Sequence, residues 1–198
     1  MSTNADNIRL NTDKRLFYIS DDIDNTTISV INFNLLYLLQ EDDEKEAKEK
    51  DFKRTPIKIY INSNGGAIDD MWSLIDIMLH SKSPIYTYCT GYAYSAGFLI
   101  FLAGSKRFMS PHARLMFHQM SCCRSGKYQD LVENRPKMDY LQNEIIDYVI
   151  NRTAITKDQI QEWLEKKQDT YFHSKEAIKL GIIDKENEDW QILFFCCN

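Results

Sequence analysis

Ser95 stands where two patterns meet. Upstream, residues 85–89 form a β-type run that reaches a tight corner at Gly91; downstream, an apolar helical run starts near Ser95 and stops at Gly104. A strand that turns sharply into a helix exposes the corner residue beside the unpaired N–H groups of the helix start. A serine at such a corner can act as a nucleophile whose oxyanion is met by backbone donors. Serine is equally a favoured N-cap, and taken alone the stretch reads first as a cap. Other groups of the right type lie elsewhere. His118 closes a strand-like run over 114–118, Asp169 sits in a connecting segment, and Gly65 and Gly66 follow a strand over 57–61. A serine, a histidine and an aspartate suffice for acyl transfer: serine attacks a carbonyl, histidine takes its proton, and aspartate orients the imidazole. With His 4 and Asp+Glu 29, the combinations are many, and spacing selects none of them.

The elements that would position these groups follow from periodicity. Leu16–Ile19 reads as a first strand, after a polar segment 1–14 expected to fray. Ile28, Ile31, Leu35, Leu38 and Leu39 recur at helical spacing. The charged stretch 40–54 that follows either extends this helix by i,i+4 pairs or forms a solvated surface excursion, the blander of the two readings. The strand over 57–61 and the turn 62–66 lead into a helix with Ile68, Met71, Trp72, Ile75, Met78 and Leu79 on one face. Strand–turn–helix–strand–turn–helix implies βαβ crossovers and a mainly parallel sheet. Functional groups of such a sheet gather at the carboxyl ends of its strands, so the turns at Gly65–Gly66 and Ser95 are expected to converge.

Short strands are expected over Lys106–Met109 and 114–118, then a polar loop over 121–126 and a long helical region over about 128–151. Pro136 lies within that region and is expected to start or kink its second half. Thr156 with Gln159 three residues on reads as a capping box, and Ser174 reads as the cap of a short helix closed by Gly181. The tail 190–198 is apolar: a last strand, or a segment docked on another subunit. The whole reads as one domain over 15–198 behind a flexible N-terminus over 1–14.

Composition narrows the function classes. A net charge of −5 argues against a nucleic-acid surface. The longest apolar run, around Ala96 and Ala103, is far below the roughly 20 residues needed to span a bilayer. No leader-like sequence is read at the start, and a cytoplasmic location is expected. The cysteines, Cys 5, include two adjacent pairs, Cys122–Cys123 and Cys196–Cys197, and show no zinc spacing. An odd number of thiols fits a reducing compartment, and no metal or organic cofactor is expected.

Four separated motifs then resemble one family. Residues 57–118 resemble the proteolytic subunit of Clp proteases, ClpP, most densely at Tyr60-Ile61-Asn62-Ser63-Asn64-Gly65-Gly66, at Gly91-Tyr92-Ala93-Tyr94-Ser95-Ala96-Gly97 and at Arg114-Leu115-Met116-Phe117-His118-Gln119. Asp169, followed by Ser174-Lys175-Glu176-Ala177 and Gly181-Ile182-Ile183-Asp184, resembles the segment that begins with the family's triad aspartate. The resemblance implies an α/β spiral of ββα units of the ClpP/crotonase type, with a long protruding helical region. It implies a serine endopeptidase acting on unfolded proteins or peptides: Ser95 as nucleophile, His118 as general base, Asp169 as its orienter, and the N–H groups of Gly66 and Ala96 as the oxyanion hole. A ring-shaped homo-oligomer, an AAA+ unfoldase as possible partner, and ATP used only by that partner are implied with it. The chain departs from the family pattern at Tyr94, which replaces a small residue, at 121–127, which lacks the glycine-rich strand, and at Lys167-Gln168, which replaces an acid–arginine pair. These departures, with a short N-terminal segment, keep two alternatives open. One is a phage-type maturation protease working without an unfoldase; the other is a non-catalytic subunit of a mixed ring. A crotonase-type acyl-CoA enzyme fits less well, because its site does not use this triad.

Overall fold

A computed structural model of the chain describes residues 9–121 and 125–184. Its sheet is organised by one long strand. β1 (Arg9–Asn11), β2 (Leu16–Ile19), β3 (Ile57–Ser63) and β4 (Ile85–Tyr94) lie side by side. The lower half of β4 pairs with β5 (Lys106–Met109), and its upper end pairs with β6 (Arg114–Phe117), beyond which lies β7 (Thr170–Phe172). The β2·β3, β3·β4, β4·β5 and β4·β6 pairs are parallel; β1·β2 and β6·β7 are antiparallel. The sheet is thus mixed, with the parallel centre that the βαβ pattern predicts. β1 and β7 are additions to the sequence reading. Each is three residues long, too short for alternation to register.

Helices α1 (Asn25–Lys48), α2 (Ile68–His80) and α3 (Ala96–Leu102) bury their apolar residues together with one face of the sheet in a single core. α3 is buried on every side, which accounts for its unbroken apolar run. The charged stretch after Leu39 continues α1 to Lys48. It is more than a surface excursion, because Asp42 is buried and takes both guanidinium N–H groups of Arg15, at 2.9 and 2.6 Å, and the hydroxyl of Ser83.

α4 (Tyr128–Arg152) runs through Pro136 as one element, so the proline starts no second helix. Its missing N–H removes the helical bond to the carbonyl of Val132, a residue 44% exposed. α5 (Lys157–Lys166) opens with the expected capping box of Thr156 and Gln159. α6 (Ser174–Lys179) is capped by His173 rather than Ser174; Ser174 occupies the first helical position, and no side chain caps the turn. Gly181, with φ +63°, follows as expected. Cys122, Cys123 and the tail beyond Asp184 lie outside the described residues. Among the described residues, no helix is long and apolar enough to cross a membrane.

Candidate active site

The corner lies at Ser95 itself. Gly91 makes no turn: β4 continues through it to Tyr94. Glycine leaves room there for the side chain of Asn62, whose Oδ1 would lie 2.2 Å from an added Cβ. The same oxygen accepts the N–H of Tyr92 at 3.2 Å, across the irregular register between Ile61 and Ser63. Ser95 carries the turn in one residue, with φ 51° and ψ −121°. A serine at positive φ costs about 1–3 kcal/mol, which surrounding structure must impose. Here the Ser95 N–H donates to the Met116 carbonyl at 3.0 Å, and the Ser95 carbonyl accepts the first helical bond, from Leu99. Gly65, at φ +104°, presses against the corner so closely that a Cβ would lie 2.7 Å from that of Ser95 and 2.8 Å from the Tyr94 carbonyl. The turns after β3 and β4 therefore converge, as their places at strand ends predict.

Ser95 does not cap α3, since its side chain makes no cap bond. Its Oγ instead lies 2.7 Å from His118 Nε2. With Oγ donating to Nε2, the ring proton resides on Nδ1. That nitrogen faces Asp169, whose Oδ1 is 4.0 Å away. The facing follows from register. β6 and β7 pair Met116 with Tyr171 and Phe117 with Thr170, so one further step sets His118 opposite Asp169. At 4.0 Å the two are close enough for charge attraction and too far for a hydrogen bond. The imidazole is 26% exposed and the carboxylate 51%.

Gly66 and Ala96 border one cavity of about 60 Å³ together with Ser95 and His118. Its apolar side is formed by Ile68, Met71, Leu99 and Ile145. Gly66 is fixed by a parallel bridge to Ile23, whose carbonyl accepts the Ala67 N–H at 2.6 Å. Ala96 is the first residue of α3, so its N–H belongs to the turn without intrahelical acceptors. His112 and His173 do not border this cavity.

Gly65, expected near the site as part of its turn, supports the corner. Sequence reasoning missed two contributors: Ser63 accepts the Gly65 N–H at 3.1 Å, and Tyr171 meets Tyr94 edge-on at 5.7 Å. The first lay within a quoted motif; the second was hidden by the brevity of β7. Cys89, fully buried in β4 behind the corner, is a thiol that burial pushes up to about 12. No group of three or more His, Cys, Asp or Glu among the described residues is arranged to hold a metal ion.

Comparison with known proteins places the chain in a family. The family model described as Clp protease matches residues 2–188. The ATP-dependent Clp protease proteolytic subunit 1 of Shouchella clausii (strain KSM-K16) is 31% identical over 172 residues, covering 86% of this chain and 83% of that protein. The protein of the same name from Protochlamydia amoebophila (strain UWE25) is 32% identical over 177 residues, covering 87% of this chain and 80% of its own length. The chain belongs to the Clp protease family and is a serine-type peptidase of the ClpP type; its mixed α/β architecture is consistent with the ClpP fold.

Proposed function

We propose that this member of the Clp protease family hydrolyses peptide bonds of unfolded polypeptides and short peptides through Ser95, His118 and Asp169. The observation that carries the assignment is the 2.7 Å contact between Ser95 Oγ and His118 Nε2 at a strained strand–helix corner. His118 takes the hydroxyl proton as Oγ attacks the carbonyl, then gives it to the leaving amine; water repeats the cycle on the acyl-enzyme. The N–H groups of Gly66 and Ala96 receive the oxyanion, a task in which side chains take no part. Asp169 orients the imidazole by charge attraction and steadies the imidazolium. Closing the 4.0 Å gap by about 1 Å would bring it into hydrogen-bond range.

No metal or organic cofactor enters this chemistry. The two relatives are named as proteolytic subunits of ATP-dependent proteases, which supports a homo-oligomeric, ring-shaped assembly and an AAA+ unfoldase that spends the ATP. The reaction would take place in the cytoplasm. The decisive experiment treats the purified chain with a fluorophosphonate probe and assays it on an unstructured fluorogenic peptide. Labelling confined to Ser95, and hydrolysis lost in Ser95→Ala, are the expected results. Hydrolysis unchanged in Ser95→Ala would falsify the assignment.

A further inference from the structure

The strand that follows Asp169 is held in an unusual way. The segment leading into it offers little: Lys167 is left-handed at φ 51°, and Asp169 itself is half exposed. β7 pairs with β6 over just Leu115↔Phe172, Met116↔Tyr171 and Phe117↔Thr170. Its anchors lie on its two faces. On the inner face, Phe172 is fully buried and stacks on Phe98 with 5.7 Å between ring centres. On the outer face, Tyr171 meets Tyr94 edge-on, 5.7 Å apart and at 89°. Tyr94 immediately precedes Ser95, and Phe98 lies in the first turn of α3, which begins directly after it. β7 is therefore gripped from both sides by residues that flank the nucleophile.

Resting on the catalytic reading above, we propose that Tyr94 and Tyr171 form a positioning brace that sets the separation of Asp169 from His118. Both tyrosines pair in register with Met116, one from each neighbouring strand, so their rings close over it. Met116 is the residue whose carbonyl holds the Ser95 N–H. Side chains two apart on a strand share a face, so Met116 and Tyr171 stand one pleat behind His118 and Asp169, while Tyr94 directly precedes Ser95. Moving Tyr171 moves the carboxylate two residues ahead of it. The two anchors differ in kind. Phe98 and Phe172 belong to the core, whereas Tyr171 is 46% exposed at the rim, where its contact can change without unfolding the domain. Tyr94 thereby gains a role: a small residue in its place could not reach Tyr171.

The brace is tested in the full chain with Tyr94→Leu, Tyr171→Leu, the double variant, and Tyr94→Phe and Tyr171→Phe. Each is assayed for kcat and KM on an unstructured fluorogenic peptide, beside thermal unfolding. Each Leu variant is expected to lower kcat by about ten- to a hundred-fold, the cost of a misplaced catalytic group. KM should stay within about two-fold, because no ground-state contact is removed. The double variant should be no worse than Tyr94→Leu alone, which already removes the contact that Tyr171→Leu breaks, along with the 5.2 Å contact of Tyr94 to Tyr92. The Phe variants keep the rings and should match the parent. Tyr171→Leu, at the rim, gives the result least exposed to loss of fold. A changed KM or peptide side-chain preference with kcat intact would make the pair a substrate contact and overturn the brace. Ser95-dependent hydrolysis that neither Leu variant alters overturns the brace alone. Hydrolysis that survives Ser95→Ala overturns the catalytic reading and the brace with it.

Discussion

β4 has a serine at each end, and the two are treated in opposite ways. Ser83, just before the strand, is 2% exposed and donates to Asp42, which is itself 1% exposed and also held by both guanidinium N–H groups of Arg15. Arg54 extends the cluster, donating to Ser83 at 3.1 Å and pairing with Asp43 and Glu46. Ser95, just after the strand, sits on strained backbone, and its histidine stands 4.0 Å from a half-exposed carboxylate. Both clusters combine a hydroxyl, a cation-forming group and an aspartate. The first is buried and closely bonded, which makes it a fastening between α1, the start of β2 and the start of β4. The second is left with hydrogen-bonding capacity to spare, at the carboxyl ends of the strands, where a substrate can use it. On the proposed catalytic reading, stability and reactivity lie at opposite ends of one strand.

That contrast can be broken by mutation. Ser95→Ala should lower peptide hydrolysis by at least about 10⁴-fold and leave the denaturation midpoint where it was or slightly higher. Asp169→Asn should approach a 10⁴-fold loss, because the amide favours the wrong imidazole tautomer; unfolding, read by circular dichroism, should not move. At the other end the pattern inverts. Asp42→Ala strands a buried guanidinium and should cost about 3 kcal/mol in urea denaturation, with kcat per folded molecule retained. The acid limb of stability sharpens the comparison further. Burial works to raise the Asp42 carboxyl, but hydrogen bonds from Arg15 and Ser83 outweigh it and hold the group below the ordinary carboxylate value. Its contribution is therefore full above that ordinary value and is lost as pH falls through the depressed folded one. Asp42→Asn should flatten this part of a stability–pH profile measured by urea denaturation. Thr156→Ala, a cap remote from both clusters, should cost about 1 kcal/mol and calibrate the scale.

The sequence made the site legible where local pattern and chemistry coincide. Gly65–Gly66 and Ser95 each follow a strand, and their convergence follows from parallel topology. Other features depended on partners distant along the chain. Nothing near Asp42 announces that Arg15 and Ser83 will bury it, so the charged end of α1 read first as surface. Gly91 read as a corner because glycine commonly marks one; its actual neighbour, Asn62, comes from another strand. Ser95 read first as a cap because capping is local, while its bond to His118 spans two elements. β7 lacked the length to show a period, and with it went the reason for Tyr94.

The buried thiol of Cys89 has a consequence for how the corner could be watched. A thiol pushed up to about 12, fully covered, and donating weakly to the Arg114 carbonyl is not a nucleophile in the native state. It can be alkylated only when β4 parts from its neighbours. The rate at which Cys89 alone is modified, read by peptide mass, therefore times the opening of the strand that ends at Ser95. The protein carries a clock for the rigidity of its own corner.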